Sequence, residues 1–138
     1  MAKYDAYGCQ LLKGAVVYAN VTNISGPGLS LDTVDVTSHD STAAWEEVVG
    51  TILRSGEITM DIVYDPGDAT HSTAANGLLT DLVARTQIDT FHLIFSDTPA
   101  TTDWTFKAFV TGFEPSAPVD GALTAVVKFK LTGQPTLV

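Results

Sequence analysis

The chain has a single cysteine, Cys9, in 138 residues. A lone thiol excludes an internal disulfide and gives no metal framework. It reads as a small, semi-apolar residue near a mobile end rather than as a reactive thiol. Cations are scarce: seven Lys and Arg against sixteen Asp and Glu leave a formal charge of −9. Gripping a phosphate backbone needs clustered Lys and Arg, so the chain is not built for that, and repulsion is the expected term near a polyanion. No apolar run approaches the ~18 residues of a membrane-spanning helix. The opening MAKYDAYGCQ has no signal-peptide core, and the expectation is a protein made and used without crossing a membrane on its own. A glycine-rich phosphate loop is missing too, since GPG at 26–28 is turn chemistry.

What is present is apolar content enough for a core, 45% of residues, in a length that fits one domain over 1–138. Residues 1–15 form a polar N-terminal arm. The chain is organised around 26–65. Two strand-like runs, Leu29–Thr37 and Glu57–Tyr64, flank an excursion over 37–55 centred on Trp45. Hairpin turns usually take about two to five residues, so this one is far too long to be only a turn. In the first run Leu29 and Leu31 share one parity, and Val34 and Val36 the other. A β-bulge is therefore expected near Asp32 or Thr33; two short strands with a kink would look nearly the same. Within the excursion Trp45, Val48, Val49, Ile52 and Leu53 fall on a helical stripe, which Gly50 and the β-branched residues weaken. A bent helix over its own core and a docking arm both fit. In the second run Ile58, Met60, Ile62 and Tyr64 share a buried face, and Glu57, Thr59 and Asp61 face water.

Elsewhere, Val17, Ala19 and Val21 alternate as a half-buried strand, and Asn23–Gly28 carries turn chemistry. After the turn DPGD (65–68), Thr70 is placed to cap a helix over 70–86, with Ala75, Leu78, Leu79, Leu82 and Val83 as its apolar stripe. Three more strands follow. Phe91, Leu93 and Phe95 line the first; Trp104, Phe106, Ala108 and Val110 the second; Leu123, Ala125, Val127, Phe129 and Leu131 the third. Six or seven strands with one helix argue for a mainly β fold, an antiparallel β-sandwich or β-barrel-like subunit with one flanking α-helix. Lys128 and Lys130 are the two lysines placed to blunt a sheet edge. An edge left pairable is an assembly device.

Chemistry is hard to find. His39, Asp40 and Ser41 are adjacent, whereas a triad needs converging side chains, so they read as a polar turn. Asp65, Asp68 and His71 are spaced three apart, but lack the dense oxygens of a calcium loop and the paired histidines of a zinc helix. His92 falls on the less buried face of its strand. Glu46 and Glu47 are consecutive and point apart. No catalytic, cofactor-binding or metal residue is expected, and no enzyme.

LDTVDVTSHDS, then Trp45 with two glutamates, then SGEITMDIVYDP and a leucine-bearing helix resemble the tail tube (major tail) protein of long, non-contractile-tailed bacteriophages. WTFKAFVTGFEPSAPVDGALTAVVKFKLTG is similar to the same family's C-terminal strands, so the resemblance spans roughly Val17 to Thr136. It implies subunits that close into hexameric rings, stacked into a hollow virion tube through which double-stranded DNA leaves the capsid. Partners would be the chain itself, the tape measure, terminator and distal tail proteins, and DNA in transit without specific binding. No cofactor and no membrane contact are implied. The expected place is the phage tail, after assembly in the host cytoplasm. The long excursion would then reach an adjacent ring through Trp45, Val48, Val49, Ile52 and Leu53. Glu57, Thr59 and Asp61 become candidates for the lumen wall, with outside solvent as the plain alternative.

Three other readings stay open. One is a ring-forming tube protein of a type VI secretion or tailocin apparatus. Another is a monomeric β-sandwich binding module, against which the few surface aromatics (Tyr18, Phe109, Phe113) weigh. The third is a hydrolase built on His39 or His71.

Overall fold

A computed structural model describes residues 3–75, 77–97 and 102–137. Among these residues nine strands and one short α-helix follow in the order β1 (Gln10–Lys13), β2 (Val16–Val17), β3 (Val21–Ser25), β4 (Ser30–Asp35), β5 (Val48–Arg54), β6 (Glu57–Val63), α1 (Leu78–Ala84), β7 (Gln87–Ile94), β8 (Asp103–Ser116) and β9 (Thr124–Thr136). Seven strands form one sheet in the order β2-β1-β7-β8-β9-β6-β3, while β4 and β5 make a separate two-stranded ribbon. Every pairing is antiparallel.

Connectivity forces the sheet to roll. β2 and β3 lie at opposite ends of the strand order, yet only residues 18–20 join them. Six inter-strand steps in a flat sheet would span ~29 Å. Four Cα steps from Val17 to Val21 reach no more than ~15 Å. Backbone bonds mark the bridge: the Tyr18 N–H donates to the Leu11 carbonyl at 3.1 Å, and the Val63 N–H to the Asn20 carbonyl at 2.9 Å. The barrel-like roll is thus a consequence of a short connection. It also breaks the single strand expected through Val17–Val21, because Asn20 sits at φ 57 between two separate strands. β3 then runs to Ser25, through residues expected to be a turn.

Strand alternation fills the roll. Ile58, Met60 and Ile62 of β6, Val127 and Phe129 of β9, Phe106 and Ala108 of β8, and Phe91 and Leu93 of β7 are all buried. Phe91 and Phe129 stack at 4.7 Å between centroids, and Tyr18 leans on both. Tyr18, expected at the surface, is core, because the bridging residues cross over the open end of the sheet.

The helix is shorter than the expected 70–86. Residues 70–75 are turns, and α1 begins after Gly77 with no side-chain cap. Thr70 does not cap it. Its hydroxyl accepts the Ala19 N–H at 3.2 Å and donates to Asp68 at 2.6 Å, tying the loop to the bridge between sheet ends. Leu78 enters the core, and buried Asp81 takes both contacts from Lys13 Nζ, at 2.8 and 3.0 Å.

Candidate assembly surfaces

The ribbon is where the chain departs from an ordinary monomer. It continues the β3–β6 pairing outward, past Gly26–Leu29 on one strand and Ser55–Gly56 on the other. Leu31 pairs with Leu53 and Val34 with Val49; the register slips between Leu31 and Thr33, the bulge that the parity change foretold. The helical stripe is not formed. Val48, Val49, Ile52 and Leu53 belong to β5, because Val, Thr and Ile are β-branched and Gly50 disfavours a helix. Trp45 follows a one-turn 3-10 helix (Thr42–Ala44) near the tip.

Among the described residues, none buries the apolar side chains of this ribbon. Trp45 is 74% exposed, Leu53 80% and Ile52 56%, and every residue of β5 is open to solvent. The facing strand adds exposed Leu29, Leu31, Val34 and Val36. An isolated two-stranded hairpin is marginal in water, and a patch of this apolar character marks a contact site. Local polar bonds hold its shape. Arg54 Nε and Nη2 both reach Asp32 Oδ2, at 2.9 and 2.8 Å, and Thr37 is laced to Glu47 through its hydroxyl. At the base the Ser55 hydroxyl donates to the Gly133 carbonyl and the Leu131 N–H to the Gly56 carbonyl, each at 3.1 Å.

Glu57, Thr59 and Asp61 share the face of β6 that points away from the core. Register sets Glu57 beside Lys130, Thr59 beside Lys128, and Asp61 beside Val126 on β9, with Asn23 of β3 on its other flank. The structure therefore brings the three residues onto one outer face, and the lysines with them. Lys128 and Lys130 do not blunt an edge: β9 is interior, between β8 and β6. The edges are β2 and β3. Beside them a cleft of about 880 Å³ is lined by residues 4–10, Tyr18, Ile24 and Trp104. The Tyr18 hydroxyl and Trp104 Nε1 are buried with no hydrogen-bond partner among the described residues. Burial, with help from the Asp81 carboxylate, pushes the Tyr18 phenol far above its ordinary range, so it stays neutral.

The histidines are built into structure. His71 is fully buried, with Nε2 2.7 Å from the Ala19 carbonyl and Nδ1 accepting the Asp65 N–H. That tautomer satisfies both nitrogens with backbone. Asp65 and Asp68 are taken up by their own turns, and no group of three or more metal-capable residues forms among the described residues. Asp103 and the Thr105 hydroxyl both meet His92 at Nδ1, whereas a relay needs the two on opposite ring nitrogens. His39, Asp40 and Ser41 lie in the ribbon's loop, where Ser41 Oγ accepts the Ser38 N–H.

Sequence alternation already sets Lys107 opposite Phe106 and Ala108, on the outer face, but does not mark it as a functional residue. Gly56 at the ribbon's base was missed.

These features describe a rolled antiparallel sheet with two edge strands and a projecting apolar ribbon. The family model described as lambda phage tail tube protein, TTP, matches residues 3–138, and the chain belongs to that family. Its members are structural tail tube proteins, not enzymes. A search of curated protein sequences finds no match.

Among solved structures, a chain of the virion of a native gene transfer agent particle superposes with a TM-score of 0.76 at 15% identity, covering 99% of both chains. A chain of the tail of an empty gene transfer agent particle, refined with C6 symmetry, gives 0.71 at 16%, again over 99% of both. A chain of the sheath–tube complex of an extracellular contractile injection system gives 0.69 at 16%, covering 99% of this chain and 93% of that one. At such identities the likeness is one of fold.

Proposed function

We propose that copies of this chain close into six-membered rings, and that the rings stack into the hollow tail tube through which double-stranded DNA passes into the host. The observation that carries this reading is the uncovered β4–β5 ribbon. Two kinds of contact are needed, one that closes a ring and one that repeats without closing. The free edges of β2 and β3 suit the first, since pairing across copies would satisfy their backbone groups and hide them. The ribbon suits the second. Trp45, Val48, Val49, Ile52 and Leu53 dock on the adjacent ring, with the tryptophan as anchor. Six-fold closure is favoured by the C6 symmetry of the gene transfer agent tail of similar fold. Assembly takes place in the host cytoplasm, and tape measure, terminator and distal tail proteins bound the tube.

Glu57, Thr59 and Asp61 line the bore in this reading, on a face that is wet and rigidly paired on both sides. Reversing charge at Glu57 and Asp61 slows DNA delivery while tubes still form; unchanged infectivity would put these residues outside. Electron microscopy of the purified protein, alone and with its tail partners, tests the whole. Rings or tubes of uniform width are expected, and particles that stay monomeric in both settings contradict the reading.

A further inference from the structure

The outer face of the sheet holds an unexpected concentration of positive charge. Lys107 of β8 and Lys128 and Lys130 of β9 are all exposed there, three of only seven basic residues in a chain of net charge −9. Lys13 and Arg54 are held by Asp81 and Asp32, but none of these three makes an ion pair among the described residues. Glu57 stands opposite Lys130 in register without closing on it.

The three are arranged as a diagonal stripe. Lys128 and Lys130 are two residues apart on one strand, a step of ~7 Å. Lys107 pairs with Thr132, which makes Lys130 its diagonal neighbour at ~7–8 Å. Thr59 and Gly112 flank Lys128, Thr132 faces Lys107, and Lys130 lies between Glu57 and Phe109. The three are flexible point charges without the fixed fork of a guanidinium, so the stripe offers weak, exchangeable contacts rather than a clamp. Glu57, Asp61 and Glu114, the last paired with Val126 in register, share the same face and offset the three lysines one for one.

Resting on the tube reading above, we infer that Lys107, Lys128 and Lys130 form a contact track for the phosphates of passing duplex DNA, with Glu57 and Asp61 limiting its grip. An entirely acidic wall would hold a polyanion away from itself, and a clustered basic one would retain it. A spaced stripe beside carboxylates gives a contact that forms and releases as the duplex moves. Charge complementarity favours DNA as occupant over the other acidic candidate, the ribbon of a second copy, because that ribbon's apolar residues seek an apolar partner.

The test uses assembled tubes and a short fluorescent duplex, with co-sedimentation measured across a salt series. Wild-type tubes should retain the duplex weakly, and less as salt rises. Lys107→Thr, Lys128→Thr and Lys130→Thr together should leave tube width unchanged, reduce retention, and flatten the log–log salt slope by about 0.9 for each phosphate that the stripe no longer neutralises. Replacing the same three by Arg should keep retention, and Glu57→Gln with Asp61→Asn should raise it. Normal tubes with unchanged retention in the Thr variant overturn the inference. So does a variant whose subunits melt like wild type yet no longer assemble, which would make the lysines a contact between copies. If the triple variant does not fold, Lys128→Thr alone is read by the same two criteria. Wild-type protein that forms no tubes under any condition contradicts the tube reading itself.

Discussion

Gly56 packs against Gly28 where the ribbon leaves the sheet, so closely that a Cβ on Gly56 would stand 2.5 Å from the Gly28 carbonyl oxygen. Gly56 also holds a φ of 76°. The ribbon's exit angle is thus set by backbone against backbone, with no side chain that could yield. Gly56→Ala should destabilise the fold by about 1–3 kcal/mol, the usual strain of a side chain in the left-handed region. Assembly should suffer further, because the ribbon is re-aimed. Gly28→Ala, with open space around it and no positive φ, should be close to neutral. Denaturant melts of the two variants check the contrast.

The Lys13–Asp81 pair fastens α1 to β1. Asp81 is almost wholly buried and Lys13 about one-fifth exposed. Lys13→Met leaves a carboxylate in the interior with no counter-charge, a loss of about 3 kcal/mol. Lys13→Met with Asp81→Leu should recover most of it, since a buried ion pair is often matched by apolar residues of similar size. A double-mutant cycle by chemical denaturation measures the coupling.

Trp45→Ala should leave the subunit's melting within about 0.5 kcal/mol of wild type, as for an exposed residue without partners. Its rings should stack poorly. A large fall in monomer stability would instead make Trp45 part of the subunit's own core.

Stability should fall in acid. The Thr70 hydroxyl and N–H hold the Asp68 carboxyl below its usual range, and Thr102 does the same for Asp97. Both groups have depressed folded-state values, so their contribution is complete above ~pH 4 and is lost as pH falls through those values. Asp68→Asn should lower the thermal midpoint at neutral pH, and the gap to wild type should close in acid.

How legible was this in the sequence? Wherever one face of a strand is buried, alternation was enough: Ile58, Met60 and Ile62 are core, and the parity change between Leu31 and Val34 is a real bulge. The ribbon misled because both its faces are apolar and exposed. Pairs such as Val48–Val49 and Ile52–Leu53 then mimic a helical stripe, although β-branching favoured a strand. Sheet order was readable only where sequential strands pair, as in β7, β8 and β9. β9 also pairs with β6 across about half the chain, and this moved Lys128 and Lys130 from a supposed edge to the middle of a face. Tyr18 is buried because of a three-residue bridge whose consequence appears only once the sheet is closed. Helix length was overestimated because residues 70–75 satisfy their polar groups in turns before α1 begins.

A three-dimensional reconstruction of the assembled tube tests the central claim most directly. The ribbon should lie on the adjacent ring with Trp45 and Leu53 covered by a neighbouring copy. A tube in which Trp45 stays open to solvent, or in which β4 and β5 fold back on their own sheet, would contradict it.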